Sequence, residues 1–284
     1  MLALISVSAC QREPVSQRLP VATPVIAIGG FDGPEAVKYD PAQDVWFVSN
    51  FGGEGAALDD NGFISRLKAD GTVDSLRFIS GGRGGVTLHM PRGMALRGDT
   101  LWVADADAVR GFDRRTGAGL AVVDFTTQSP GFLNDLAYGA DGALYVTDTG
   151  KRVIYRIMGN TITVSLPERS AGGLNGITWD SAGNRFLLAP YPQGRSLLAW
   201  LPGGAVTDVS EGRGGRYDGV EIIGPDSFLV ASQNDSSLHL FSATSGTPIL
   251  GLAGAPADIG WDARRRVVAV PYVNRDTVEL FRLP

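Results

Sequence analysis

Six positions share one local context, a polar or charged residue followed by a short apolar run. They are Glu35, Arg92, Asn134, Asn175, Asp218 and Asp258. Each run ends at a turn and is answered by a second apolar segment. In Leu174-Asn175-Gly176-Ile177-Thr178-Trp179-Asp180, for example, the turn Ser181–Asn184 leads into Arg185–Ala189. Glu35, Asn134, Asn175 and Asp218 are two carboxylates and two carboxamides. Gathered at one point, they offer four side-chain oxygens and two formal negative charges. That donor set suits a hard divalent cation such as calcium, which takes six to eight oxygens and leaves places for water or a ligand. An all-oxygen set also leans away from zinc and towards calcium, magnesium or manganese. Without a cation, the same carboxylates would repel and raise one another's pKa. The competing reading is local, because Asn and Asp also cap turns and satisfy nearby backbone groups.

The spacing supplies elements that could gather these residues. The six positions lie 57, 42, 41, 43 and 40 residues apart. A period near 40, built from strand pairs with no helical periodicity, is the signature of a β-propeller with one blade per repeat. The long first step places an insertion of about fifteen residues in blade one, within the glycine-rich stretch Asn50–Asn61. In a propeller, the residue ahead of each innermost strand faces the central axis. The six polar positions then form a ring at one end of the channel. Thr23–Ile28 is a strand without a blade, and the last repeat holds only three strands before Pro284. The reading is therefore an all-β, six-bladed propeller over residues 23–284, with the N-terminal strand closing the last blade and hiding its edge. The 38 glycines and 16 prolines cluster at turns, as many short strands require.

The formal charge is −5 with no basic run, which argues against nucleic acid as a partner. The single cysteine, Cys10, excludes an intrachain disulfide. It closes the small-residue apolar run Leu2–Ala9, and Val7-Ser8-Ala9-Cys10 resembles a bacterial lipobox, although the run carries no Lys or Arg before it. The alternative is an unstructured tail. The run is too short for a membrane span, which needs about 20 apolar residues. The expectation is a signal and tether over residues 1–22, a lipid anchor at Cys10, a monomer, and a place on the periplasmic side of a bacterial envelope.

The six-fold pattern resembles the calcium-dependent propellers of the senescence marker protein/gluconolactonase family, related to regucalcin and more distantly to paraoxonases. The resemblance rests on Gly33-Pro34-Glu35, Leu133-Asn134-Asp135, Leu174-Asn175-Gly176 and Tyr217-Asp218-Gly219, and covers residues 24–284. It implies Glu35, Asn134, Asn175 and Asp218 as metal ligands and hydrolysis of lactones or related esters. It further implies that Asp218 serves as general base, with Glu35 second. The chain departs from paraoxonases at Arg92, which stands where they carry a histidine. Arginine cannot act as a base, but it can bind a substrate carboxylate or a developing oxyanion, or pair with Glu35 or Asp258. His89 lies on the approach to the same face and is either a base or a loop residue; His239 reads as structural.

The segments after the second strands offer a polar rim that includes Asn50, Asp148, Tyr191, Gln233 and Asn234. Asp148 and Asn234 are the candidate substrate contacts, and such a rim suits either a hydroxyl-rich sugar lactone or plain solvent. Trp46, Trp102, Trp179 and Trp261 recur beside the strand pairs, where packing between blades explains them. Two functional readings follow. One is a calcium-dependent lactonase or esterase, and the other is a non-catalytic propeller that binds a sugar, peptide or protein on the same face. A redox propeller is disfavoured, because the chain has no Cys-x-x-Cys-His and only two histidines.

Overall fold

A computed structural model describes residues 19–53, 58–168 and 172–284. Six antiparallel four-stranded sheets form six blades. Blade one runs through Pro34–Asp40, Val45–Asn50, Phe63–Lys68 and Val73–Ser80. The inner strands of blades two to six are Met94–Arg97, Leu133–Tyr138, Leu174–Asp180, Tyr217–Gly224 and Gly260–Asp262. Helix among the described residues is limited to single 3₁₀ turns such as Thr126–Gln128 and Val273–Arg275. No helix among them is long and apolar enough to cross a membrane.

The burial pattern follows the blade geometry. Second strands lie between neighbouring blades and are buried on both faces, as in Phe186-Leu187-Leu188-Ala189 and Val267-Val268-Ala269-Val270. Such strands read as continuous apolar runs. Outer strands alternate or stay exposed, as Val73–Ser80 does. The core is therefore divided between blades. One cluster joins Val37, Trp46 and Leu67 of blade one to Val267, Val278 and Leu280 of blade six. Trp102, Trp179 and Trp261 pack in comparable clusters. Burial of this apolar surface is the main force holding blade to blade.

The ring closes as expected. Ile26–Gly29 is the outer strand of blade six and pairs antiparallel with Thr277–Arg282, in the register Ile26 to Leu280 and Gly29 to Thr277. Gly71, with φ of 89°, forms the tip of the Lys68–Thr72 hairpin in blade one. A Cβ there would lie 3.1 Å from both Ile26 and Ile28, so glycine serves the turn and the seating of the closing strand together. The chain is tied down earlier still. Val21 bridges Gly251 in parallel, and the Ala22 amide donates to the Gly251 carbonyl. Contact with the ring is thus already made at Val21, two residues before the sequence boundary of 23. Cys10 and the lipobox lie outside the described residues, as does part of the blade-one insertion.

Candidate active site at the channel mouth

A backbone irregularity builds the site. In blade one the pairing of first and second strands jumps from Pro34↔Asn50 to Val37↔Val48, which leaves Glu35-Ala36 opposite a single residue. The same shift recurs at Asn134-Asp135, Asn175-Gly176 and Asp218-Gly219. Blades two and six show no such shift in their first strand pair. A β-bulge re-aims a side chain that would otherwise follow the pleat. Four bulges fall on Glu35, Asn134, Asn175 and Asp218, and all four residues line one cavity of about 430 Å³.

Neighbouring inner strands approach closely at this level. A Cβ on Gly176 would lie 2.2 Å from the Asp218 carbonyl oxygen, and one on Gly219 would lie 2.4 Å from Asp258 Oδ1. Blade three carries Asp135 at the corresponding place. Its Oδ1 accepts from the Leu136 amide (2.7 Å) and its Oδ2 from the Ile177 amide of the next blade (2.8 Å).

The four donors are oriented but unspent. Asn134 Nδ2 donates to Thr149 Oγ1 (2.9 Å), which itself donates to the Leu174 carbonyl (2.6 Å). Gln233 Nε2 donates to Asp218 Oδ2 (2.7 Å). Glu35 Oε2, Asn175 Oδ1 and Asp218 Oδ1 are buried with no hydrogen-bond partner. Buried polar atoms are rarely left so, because each forfeits hydration without compensation. Three orphaned oxygens on one cavity floor fit a divalent cation in chemistry and in number, with Asn134 as a fourth donor.

The charges here raise one another's pKa. Burial, then the neighbouring Asp218, lift Glu35 well above the usual carboxylate range, with Arg92 opposing. Burial and Asp135 push Asp218 up to about 7, against the hydrogen bond from Gln233. A second polar layer lies alongside. Burial pushes Asp135 up to about 6, with Lys38 opposing, and burial followed by Asp135 raises Asp258 well above its ordinary value. Lys38 Nζ sits 3.1 Å from Glu221 Oε1. Burial works against its charge, but Glu221, Asp258 and Asp135 outweigh it and hold the ammonium above its ordinary pKa.

The remaining sequence candidates are placed differently. Arg92 is buried and forms no ion pair with Glu35 or Asp258 among the described residues. Its Nη1 donates to the Leu133 carbonyl (2.9 Å), and the guanidinium lies 3.7 Å from the Phe132 ring centroid. Burial pulls this guanidinium down to about 10, against Glu35, Asp105 and Asp148. Asp148 is buried, and its carboxylate accepts from the amides of Gly131, Phe132 and Lys151 (2.8–2.9 Å). Asp105 plays the same part in blade two, taking the amides of His89 and Met90. Asn234 is exposed and does not line the cavity, whereas its neighbour Gln233 does.

His89 Nδ1 accepts from the Asp60 amide (3.0 Å). The ring belongs to a cluster with Asp105 and Asp107 that Arg110 already neutralises, at 2.7 and 2.6 Å. His239 is fully buried in blade five beside Asp235 (2.9 Å).

The cavity walls combine two rim residues that the sequence offered, Tyr191 and Gln233, with Phe51, Thr149 and Val273, which it passed over. Phe51, Thr149, Tyr191, Gln233 and Val273 each stand one position past the end of a second strand. In blades one, three and five the strand-terminal residue, Asn50, Asp148 or Ser232, bonds the backbone of the entering loop, and the next residue faces the cavity. Phe132 and Ala257 complete the walls from the loops that enter blades three and six.

No family model matches the sequence, and no curated protein does. Solved structures do match. A gluconolactonase from Xanthomonas campestris superposes with a TM-score of 0.68 at 16% identity, over 89% of this chain and 87% of that one. The fold is that of the gluconolactonase-like propellers. A structural-genomics target carrying a gluconolactonase assignment gives 0.65 at 13% identity, over 89% and 91% of the two chains. An inactive virginiamycin B lyase from Staphylococcus aureus, bound to quinupristin, gives 0.61 at 12%, over 91% and 99%. The shared architecture therefore accommodates more than one chemistry, and function has to be argued from the site.

Proposed function

We propose that this propeller is a divalent-cation-dependent hydrolase of lactones or related esters. The supporting observation is the set of buried, partnerless oxygens of Glu35, Asn175 and Asp218 at the base of one cavity. Glu35, Asn134, Asn175 and Asp218 would hold the cation, with calcium the best match to an all-oxygen set of this kind. When bound, the cation supplies Lewis-acid polarisation of the scissile carbonyl and acidifies a water molecule. Asp218 is the base of choice. Gln233 fixes one of its oxygens, and the other is buried with no hydrogen-bond partner of its own, which leaves it to take a proton from a water beside it. Glu35 is the second candidate. The water oxygen adds to the carbonyl carbon, the ring C–O bond breaks, and the proton taken from the water passes to the departing alkoxide.

Arg92 shapes the site from beneath Phe132 in this reading. The sequence Val7-Ser8-Ala9-Cys10 supports an anchored form on the periplasmic side of a bacterial envelope. Labelled fatty acid should be incorporated in the bacterial host and lost in Cys10→Ser. The functional test is a calcium titration of chelator-stripped protein with a panel of lactones and aryl esters. Ion-dependent turnover that disappears in Asp218→Asn is expected. Ion binding with no turnover on any member would replace the hydrolase with a ligand-binding propeller.

A further inference from the structure

We infer that the cavity selects lactones or esters carrying an apolar alkyl or aryl substituent, and disfavours polyhydroxylated lactones. The inference rests on the hydrolase reading and specifies its substrate class. The three buried oxygens without a partner, on Glu35, Asn175 and Asp218, lie together at the base. The walls are Phe51, Phe132, Tyr191, Val273 and Ala257, joined by Thr149 and Gln233. Phe51, Phe132, Tyr191 and Val273 are each only partly buried, so the mouth carries an apolar collar that the described residues leave partly open.

The polar groups in the walls are partly engaged, which leaves the Tyr191 hydroxyl proton and the Gln233 side-chain oxygen as the groups free to meet a ligand. The Thr149 hydroxyl accepts from Asn134 and donates to the Leu174 carbonyl. The Gln233 amide nitrogen donates to Asp218. The Tyr191 hydroxyl accepts from Arg216 (2.7 Å) and retains one proton to give. A sugar lactone would bring several hydroxyls into contact with these walls and find few partners, which is unfavourable on burial. An alkyl or aryl group needs none and gains from leaving water. Of the two candidate substrate contacts, Asp148 is buried and hydrogen-bonded to backbone, as is the rim residue Asn50, while Asn234 is exposed and lies outside the cavity lining.

The collar is also held in place. Phe132 lies on the Arg92 guanidinium at 3.7 Å, while Arg92 is itself fixed to the Leu133 carbonyl. The Phe51 amide donates to the Gly33 carbonyl (3.0 Å), and a Cβ on Gly33 would meet Phe51 at 3.2 Å. Arg92 is thus a positioning residue for the wall. A cavity of about 430 Å³ holds a substituted ring with room for a short chain.

The test uses the calcium-loaded full chain and two matched series. One is δ-lactones with no, ethyl, butyl or hexyl substituent beside a polyhydroxylated δ-lactone, read as kcat/KM. The other is the corresponding lactams, which are not turned over, read as affinity by calorimetry. Both quantities should rise about threefold per methylene over the first few carbons, with the polyhydroxylated member lowest. Phe132→Ala should flatten both slopes, and Phe132→Leu should restore part of them. Arg92→Lys should lower the slope without acting on any reacting atom. If lactam affinity climbs with chain length but no lactone is hydrolysed, the apolar selectivity stands and the hydrolase reading falls. Turnover with a flat series, or with the polyhydroxylated lactone preferred, overturns the selectivity and leaves the hydrolase. Failure of every lactone and every lactam overturns both.

Discussion

Asp218→Asn should make the protein more stable in chelator at pH 8 and less able to gain stability from calcium. The reasoning starts from the folded carboxyl, raised from an ordinary 3.8 to about 7 by burial and Asp135. Below about pH 4, Asp218 is protonated in both the folded and unfolded chains, and folding carries no penalty from it. As pH rises, the unfolded carboxyl ionises while the folded one keeps its proton. Stability therefore falls by about 1.4 kcal/mol per pH unit until the folded group ionises near 7. About three units of difference amount to ~4 kcal/mol lost by pH 8.

The carboxamide removes this term. In chelator, the parent and variant should melt together at pH 4 and separate with rising pH, to a gap of about 10 °C at pH 8 for a chain of this size. Glu35 and Asp258 push the parent in the same direction, and because the Asp218 charge contributes to both of their shifts, the carboxamide relieves part of their cost as well and widens the gap. Calcium should then reverse the order, raising the parent and barely moving the variant. The apparent calcium affinity of the parent should fall at least tenfold per pH unit below 7, since Asp218, and Glu35 wherever it is also protonated, must release a proton for the ion to bind. Differential scanning calorimetry across pH, with and without calcium, reads all of this. A variant less stable than the parent in chelator at pH 8 would refute the argument, because it would mean that the buried carboxylate is compensated without an ion.

Deleting Thr277–Pro284 should abolish cooperative unfolding, because Thr277–Arg282 pairs with both Val267–Tyr272 and Ile26–Gly29; circular dichroism on heating checks this. Gly176→Ala should destabilise by about 1–3 kcal/mol through overpacking, since its Cβ would meet the Asp218 carbonyl at 2.2 Å, and should weaken calcium binding by displacing Asn175. Arg110→Met should cost about 3 kcal/mol in a urea titration, because it strands the Asp105 carboxylate, whose own exposure is 0%.

The ring was legible because its signal is redundant. The same strand-turn-strand pattern appears six times, and the unpaired N-terminal strand had only one incomplete blade to join. The period brings all six polar positions to one end of the channel, and the four bulges then turn Glu35, Asn134, Asn175 and Asp218 into one cavity. The cavity walls were harder to read. Asn50 and Asp148 stood out as polar residues at strand ends, yet they bond the backbone, and Phe51 and Thr149 one position later face the cavity. A one-residue error in phase exchanges inside for outside in a strand, and the bulges that set the phase leave no mark in composition. Arg92 was read from its charge, whereas its surroundings are a ring face and a carbonyl. The loop before blade three gave no periodic cue that Phe132 would turn towards the axis.

The bond between Val21 and Gly251 sets a direction for the whole molecule. Gly251 pairs with Ser237 and Ser237 with Ser232, whose neighbour Gln233 reaches Asp218. The chain therefore enters the ring at the rim that carries the cavity. Nine residue steps separate Cys10 from Leu19, a reach of at most about 32 Å. A lipid on Cys10 would therefore place its tether on the cavity side of the ring, with the opening within reach of the bilayer surface.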